Sequence, residues 1–222
     1  MRSRLAIPLV VSLVALAPAV ALAGPPLLCF PMAIGDAPSL PWGTGGWNSP
    51  RADYDRTRLA RDTVALLRPS APVLVRMETL RRAVIYASSD AAATRDLLTT
   101  LRTRAGGAKD KGTDPLALFD LGYAVETFRQ ARHATAVVGS SEPAEDGYAL
   151  IRRAIALRST DPEMEYAAAL VSSSRTFRGV SDQHLRAALA GARDDTSLGR
   201  TIAAHQPLWG SRLAELRASA AH

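Results

Sequence analysis

From Asp53 to the C-terminus the chain is a succession of short stretches with apolar residues every three or four positions, separated by capping residues, glycines and prolines. That period predicts helices, and their shortness dictates what they must do next. A short helix exposes its apolar stripe and becomes stable only when neighbours cover it. Composition points the same way: aromatics are 5% of the 222 residues, and Ala and Leu dominate the aliphatic share, which favours helix over strand.

The punctuation places the helices. The stretch 54–67 ends at Arg68-Pro69, and Pro72 sits in the first turn of the next helix, where its missing N–H costs nothing. Val73, Met77, Leu80 and Val84 then mark one apolar face. Asp90 opens a helix through Leu97, Leu98 and Leu101 that closes at Gly106-Gly107. Asp114-Pro115 and Asp161-Pro162 each pair an N-cap with a proline at the first position. The first opens a helix bearing Leu118, Leu121, Val125 and Phe128, the second a helix over 163–173. Further helices are expected over 147–158, 181–193 and 196–205, and Pro207 breaks the pattern before a last one at 208–216. Residues 106–113 and 139–143 read as loops.

Two segments precede this helical domain (53–222). Residues 1–23 carry Arg2 and Arg4, then an apolar run from Leu5 to Val20, then Ala21-Leu22-Ala23, the order of a secretory signal peptide cut after Ala23. An uncut anchor helix is the alternative, although Pro8 and Pro18 shorten its span. Lipid attachment at Cys29 is disfavoured because Leu28 stands where a small residue is expected. The expected product is periplasmic or secreted, with no stable membrane insertion after cleavage, since no later apolar run is long enough to cross a bilayer. Residues 24–52 contain Pro25, Pro26, Pro31, Pro38, Pro41 and Pro50, which forbid a long helix. They also hold Leu27, Leu28, Phe30, Met32, Trp42 and Trp47, too many large apolar groups for a free linker. An extended strap packed on the helical body is expected; a partner-binding arm is the alternative.

Chemistry is sparse. A single cysteine, Cys29, excludes an internal disulfide and a thiolate zinc site made by this chain alone. It reads as a packed small hydrophobe, an intermolecular disulfide or a reactive thiol, in that order. His133, His184, His205 and His222 are scattered; only His184 and His205 could approach, and surface or helix-end positions are expected for them. No metalloprotease or nucleophile-elbow motif occurs, and the glycines at 43–46 and 107–112 follow no strand. Glu163 and Glu165 fall in a first helical turn, where negative charge meets the helix dipole, and two positions apart they do not face one another. Ser172, Ser173 and Ser174 are expected to satisfy backbone groups at a helix end. No catalytic residue, metal site or cofactor is expected. The formal charge of +6 becomes +4 once Arg2 and Arg4 leave, and the basic residues are interleaved with acidic ones. With no strip of aromatic and basic residues, nucleic acid is not the expected partner; acidic partners or anionic lipid are mildly favoured.

The chain also repeats itself. Leu80-Arg81-Arg82-Ala83-Val84 recurs 71 residues later as Ile151-Arg152-Arg153-Ala154-Ile155, and a further shift of 34 brings Leu185, Ala188 and Leu189 into register with Ile151, Ala154 and Ile155. A 34-residue period holding two helices resembles the tetratricopeptide repeat, with Gly147 and Ser181 beginning second-helix patterns and Leu121-Gly122 and Ala168-Ala169 as first-helix small pairs. That resemblance implies a right-handed array of stacked antiparallel helical hairpins, an all-α fold. The stretches GPPLLCF, VRMETLRRAVIYAS and DPEMEYAAAL are similar to a group of uncharacterised secreted bacterial helical proteins, which implies export and helical architecture and no activity. Together these predict a protein–protein interaction scaffold of the cell envelope, with no catalysis evident. Its groove would use Arg81, Arg82, Arg152 and Arg153, residues that otherwise read as solvated faces. The alternative is an envelope ligand-binding protein or thiol-dependent enzyme built around Cys29, Trp42 and Trp47.

Overall fold

The computed structural model describes residues 24–106, 113–135, 143–159, 161–174 and 178–220. The expected signal peptide and the glycine-lysine loop at 107–112 lie outside the described residues. The fold is all-α: α1 (Pro26–Cys29), a 3-10 turn (Arg56–Arg58), α2 (Leu59–Leu66), α3 (Val73–Ala87), α4 (Ala91–Gly106), α5 (Pro115–Thr135), α6 (Gly147–Arg158), α7 (Pro162–Ser173), α8 (Arg178–Gly191), α9 (Ser197–Ala204), α10 (Gln206–Trp209) and α11 (Ser211–Ala220). Among the described residues there is no strand, only an isolated bridge between Trp42 and Pro50.

The capping residues act as their types require. Asp146, Asp161 and Thr196 accept hydrogen bonds from the backbone N–H groups of Ala149, Glu163 and Gly199, and Asp90 does the same for Ala92 and Ala93. Several boundaries depart from expectation: α2 begins only at Leu59, behind a 3-10 turn, and Pro207 lies inside α10 instead of breaking the pattern. Helix α8 begins at Arg178 rather than at 181. Gly210, at φ +57°, cuts the C-terminal helix into α10 and α11, a bend that a residue without a Cβ adopts without strain. Pro26 occupies the first turn of α1, so the proline-rich segment does form one short helix.

Helix α3 is the axis of the molecule. All but Arg82 and Ile85 of its 15 residues are buried, so it is covered on every side and not on one face. Because it carries Arg76, Glu78 and Arg81 into the interior, each must be paired. Arg76 makes a two-pronged contact with Asp120 of α5 at 2.6 and 2.9 Å and also donates to the carbonyl of Arg68. Arg104 of α4 reaches the same carboxylate at 3.2 Å, so one buried aspartate ties three helices together.

Downstream of α4, α5 pairs antiparallel with α6, and α7 with α8. In α5 and α6, Gly122 lies against Gly147 and Ile151 while Glu126 also meets Gly147; in α7 and α8, Ala169 accepts from Ser181, Glu165 meets His184, and Pro162 meets Gly191. Both pairs make close contact at small residues, and Gly147 and Ser181 stand 34 positions apart. Asp182 of α8 in turn bonds Arg212 of α11.

Candidate functional site

The residues singled out in the sequence fall in two places. Arg81, Arg82, Cys29, Trp42 and Trp47 lie where residues 24–51 cross α3; Arg152 and Arg153 lie on α6.

Arg81 does not face solvent or a groove. Its side chain has 0% exposure and forks onto the Glu78 carboxylate with two bonds of 2.8 Å, while Nη1 donates to the carbonyls of Leu28 and Trp47 at 2.9 and 2.7 Å. Arg82, at the rim, donates to Glu78 and to the Leu40 carbonyl, both at 2.8 Å. Burial works to raise the Glu78 carboxyl, but the two guanidiniums outweigh it and hold its pKa below the ordinary value. Both arginines lie against Trp42, 5.2 and 5.5 Å from its ring centroid, and Trp42 meets Tyr86 edge-on. Met32 donates to Glu78, Ala33 to Thr201, and Leu27 to Gln130. Trp47 is 40% exposed and contributes its backbone more than its ring. Cys29 is a free, half-buried thiol packed on the core. Burial raises its pKa against the opposing pull of Arg81, which disfavours the thiolate that thiol chemistry needs. This region is occupied with holding chain to chain.

The two interior histidines do not share a site. His205 is 1% exposed: its Nε2 donates to the Pro31 carbonyl at 3.0 Å, its Nδ1 accepts from the Tyr166 hydroxyl at 2.7 Å, and Phe30 stacks edge-on at 5.4 Å. Burial lowers its pKa, with the Pro31 bond opposing. His184 stands elsewhere, in the wall of a cavity of about 580 Å³ between α6, α7 and α8, beside Tyr148, Arg152, Glu165, Ser172 and Gln183. That volume is in the range that accepts small molecules.

The cavity holds a line of chemistry-bearing side chains that sequence reasoning did not assemble. Glu165 meets His184 Nδ1 at 2.6 Å, and His184 Nε2 meets the Tyr148 hydroxyl at 2.8 Å. A carboxylate only accepts, so Nδ1 carries a ring proton, and in the neutral ring Nε2 accepts from the phenol. Arg152 lies over the Tyr148 ring at 5.9 Å. Glu165 therefore does more than meet the dipole of its own helix. Glu163 also reaches outside it, accepting from the Leu74 N–H at 3.0 Å at the start of α3, whose own N-cap is Pro72 with no side chain to offer. Ser172, Ser173 and Ser174 bond back to carbonyls of α7 as expected. The signal that could have found the cluster was the hairpin register: pairing Ala169 with Ser181 sets Glu165 beside the His184 turn.

Nothing matches this chain among protein-family models, curated proteins or solved structures.

Among the described residues no group of three or more His, Cys, Asp or Glu side chains is placed to hold a metal ion, and no helix is long and apolar enough to cross a membrane.

Proposed function

We propose that the protein is an exported interaction scaffold, a tetratricopeptide-like array of hairpins preceded by a packed strap, that takes up an acidic segment of a partner along the α6–α8 groove. Export rests on the order of charge, apolar run and cleavage triplet in residues 1–23. The array rests on two antiparallel pairs meeting at small residues one 34-residue period apart.

The observation that carries the binding surface is exposed positive charge at a cavity, with Arg152 in its wall. Arg152, Arg153 and Arg186 are exposed, and none makes a hydrogen bond or ion pair among the described residues. Of the other guanidiniums, Arg76, Arg81, Arg82, Arg104 and Arg129 hold carboxylates, and what sets Arg152 apart is its place in the cavity wall. Exposed positive charge at such a concave surface steers and holds acidic ligands.

A photo-cross-linking side chain at Ala187, on the groove wall, is expected to trap a partner from envelope extracts, and Arg152→Glu to abolish the trapping. The same probe at exposed Ala91 of α4 should trap nothing. Equal trapping at both positions would sink the assignment.

A further inference from the structure

We propose that the α6–α8 groove also carries chemistry: Tyr148 is a base-activated phenol that accepts acyl groups from aryl esters and releases them to water. The inference rests on this groove being the working surface, but does not need the acidic partner.

The geometry is that of a nucleophile, a base and an orienting group in series. The Tyr148 hydroxyl donates to His184 Nε2 at 2.8 Å, and His184 Nδ1 is held by Glu165 at 2.6 Å. His184 and Glu165 are 16% and 17% exposed, enclosed enough for their bonds to be directional and open enough for a reactant to reach the phenol. The three groups come from three helices, each anchored beyond the site. Gly147, one residue before Tyr148, is locked against Gly122; Tyr166, one residue after Glu165, is locked against His205; and Leu185, one residue after His184, is buried at 0%. Arg152 places positive charge 5.9 Å from the ring on which phenolate charge would develop.

The steps balance with water as the one co-reactant. As Tyr148 Oη attacks the ester carbonyl carbon, His184 Nε2 takes its proton and the carbonyl π pair moves onto oxygen. Collapse breaks the bond to the leaving phenol, which receives that proton from His184. Water then attacks the acyl-tyrosine with His184 again as base, releasing the carboxylic acid and restoring the Tyr148 hydroxyl. Glu165 takes no proton and steadies the imidazolium. The leaving group must be a phenol, because transfer from one phenol to another is nearly balanced while transfer from an alkyl alcohol runs uphill.

The test uses the mature chain and 4-nitrophenyl acetate. The wild type is expected to release nitrophenol and to show a transient acetyl group on the peptide holding Tyr148. Tyr148→Phe, which keeps the ring, and His184→Gln should each lower the rate about 100-fold and abolish that adduct. Glu165→Gln, acting on the ring and not on the ester, should lower kcat about tenfold with KM unchanged. Thermal unfolding of each variant identifies any that lost the fold, and Tyr148→Phe supplies the decision if the others do. Wild type and Tyr148→Phe reacting alike, or acetyl found only on other residues, would overturn the proposal. Partner trapping without acylation refutes the chemistry alone; acylation without trapping refutes the acidic partner alone.

Discussion

A guanidinium with no exposed surface has to bond its N–H groups inside the protein, and Arg81 does so by binding one carboxylate and two carbonyls of residues far away in sequence. His205 does the equivalent with a neutral ring. Protonation would place a second donor on Nδ1 against the Tyr166 hydroxyl, which already accepts from Trp209 Nε1, while Glu78 and Arg81 act on the ring with opposite sign. Since burial depresses its pKa below the ordinary 6.5, the unfolded chain binds this proton more readily than the folded one. Its contribution to stability is therefore complete above about pH 6.5 and is lost as the pH falls below it, by at most about 1.4 kcal/mol per pH unit. Urea unfolding between about pH 7 and pH 5 should show that fall in the wild type and a smaller one in His205→Gln. Glu78, whose pKa is held down, adds its own loss only in stronger acid, below its ordinary 4.5.

Between helices, the decisive quantity is how closely two backbones approach. A Cβ at Gly122 would stand 2.6 Å from the Gly147 carbonyl oxygen and 3.0 Å from Ile151 and Leu150. Backbone cannot step aside as a flexible side chain can. Gly122→Ala is expected to push α5 and α6 apart and cost about 1–3 kcal/mol in a denaturant titration. Gly106→Ala, at the end of α4 with nothing within 4 Å, is the matched control and should cost little. Helix positions were largely legible in the sequence, because a capping aspartate, followed by proline at two of these starts, acts within one turn: Asp90, Asp114 and Asp161 all accept backbone N–H bonds at the helix starts they were expected to open. The cut at Gly210 was not legible, since a glycine is permitted a positive φ but does not announce it.

At the scale of the molecule, Arg81, Arg82 and Tyr86 of α3 donate to backbone carbonyls of the 24–51 segment. Leu27, Leu28, Met32 and Leu40 are at most 4% exposed, and a fully buried side chain of this size is worth about 1.5–3 kcal/mol. Deleting residues 24–52 would remove those groups and leave Arg81 and Glu78 without their backbone partners. The truncated chain is expected to keep helical far-ultraviolet dichroism, bind a hydrophobic dye and lose its cooperative thermal transition. A truncated chain that melts as sharply as the full one would instead favour a detachable arm.

The sequence by itself determined that the chain is helical and where most helices start, because period, caps and prolines act through bonds within one turn. It also marked small residues 34 apart as places where backbones could meet. Only the tertiary structure decided that Arg81 is interior, that Glu163 serves another helix, and that Tyr148, His184 and Glu165 share one wall. Those outcomes join residues from separate helices, so they depend on how packed elements register against one another, which no local pattern encodes.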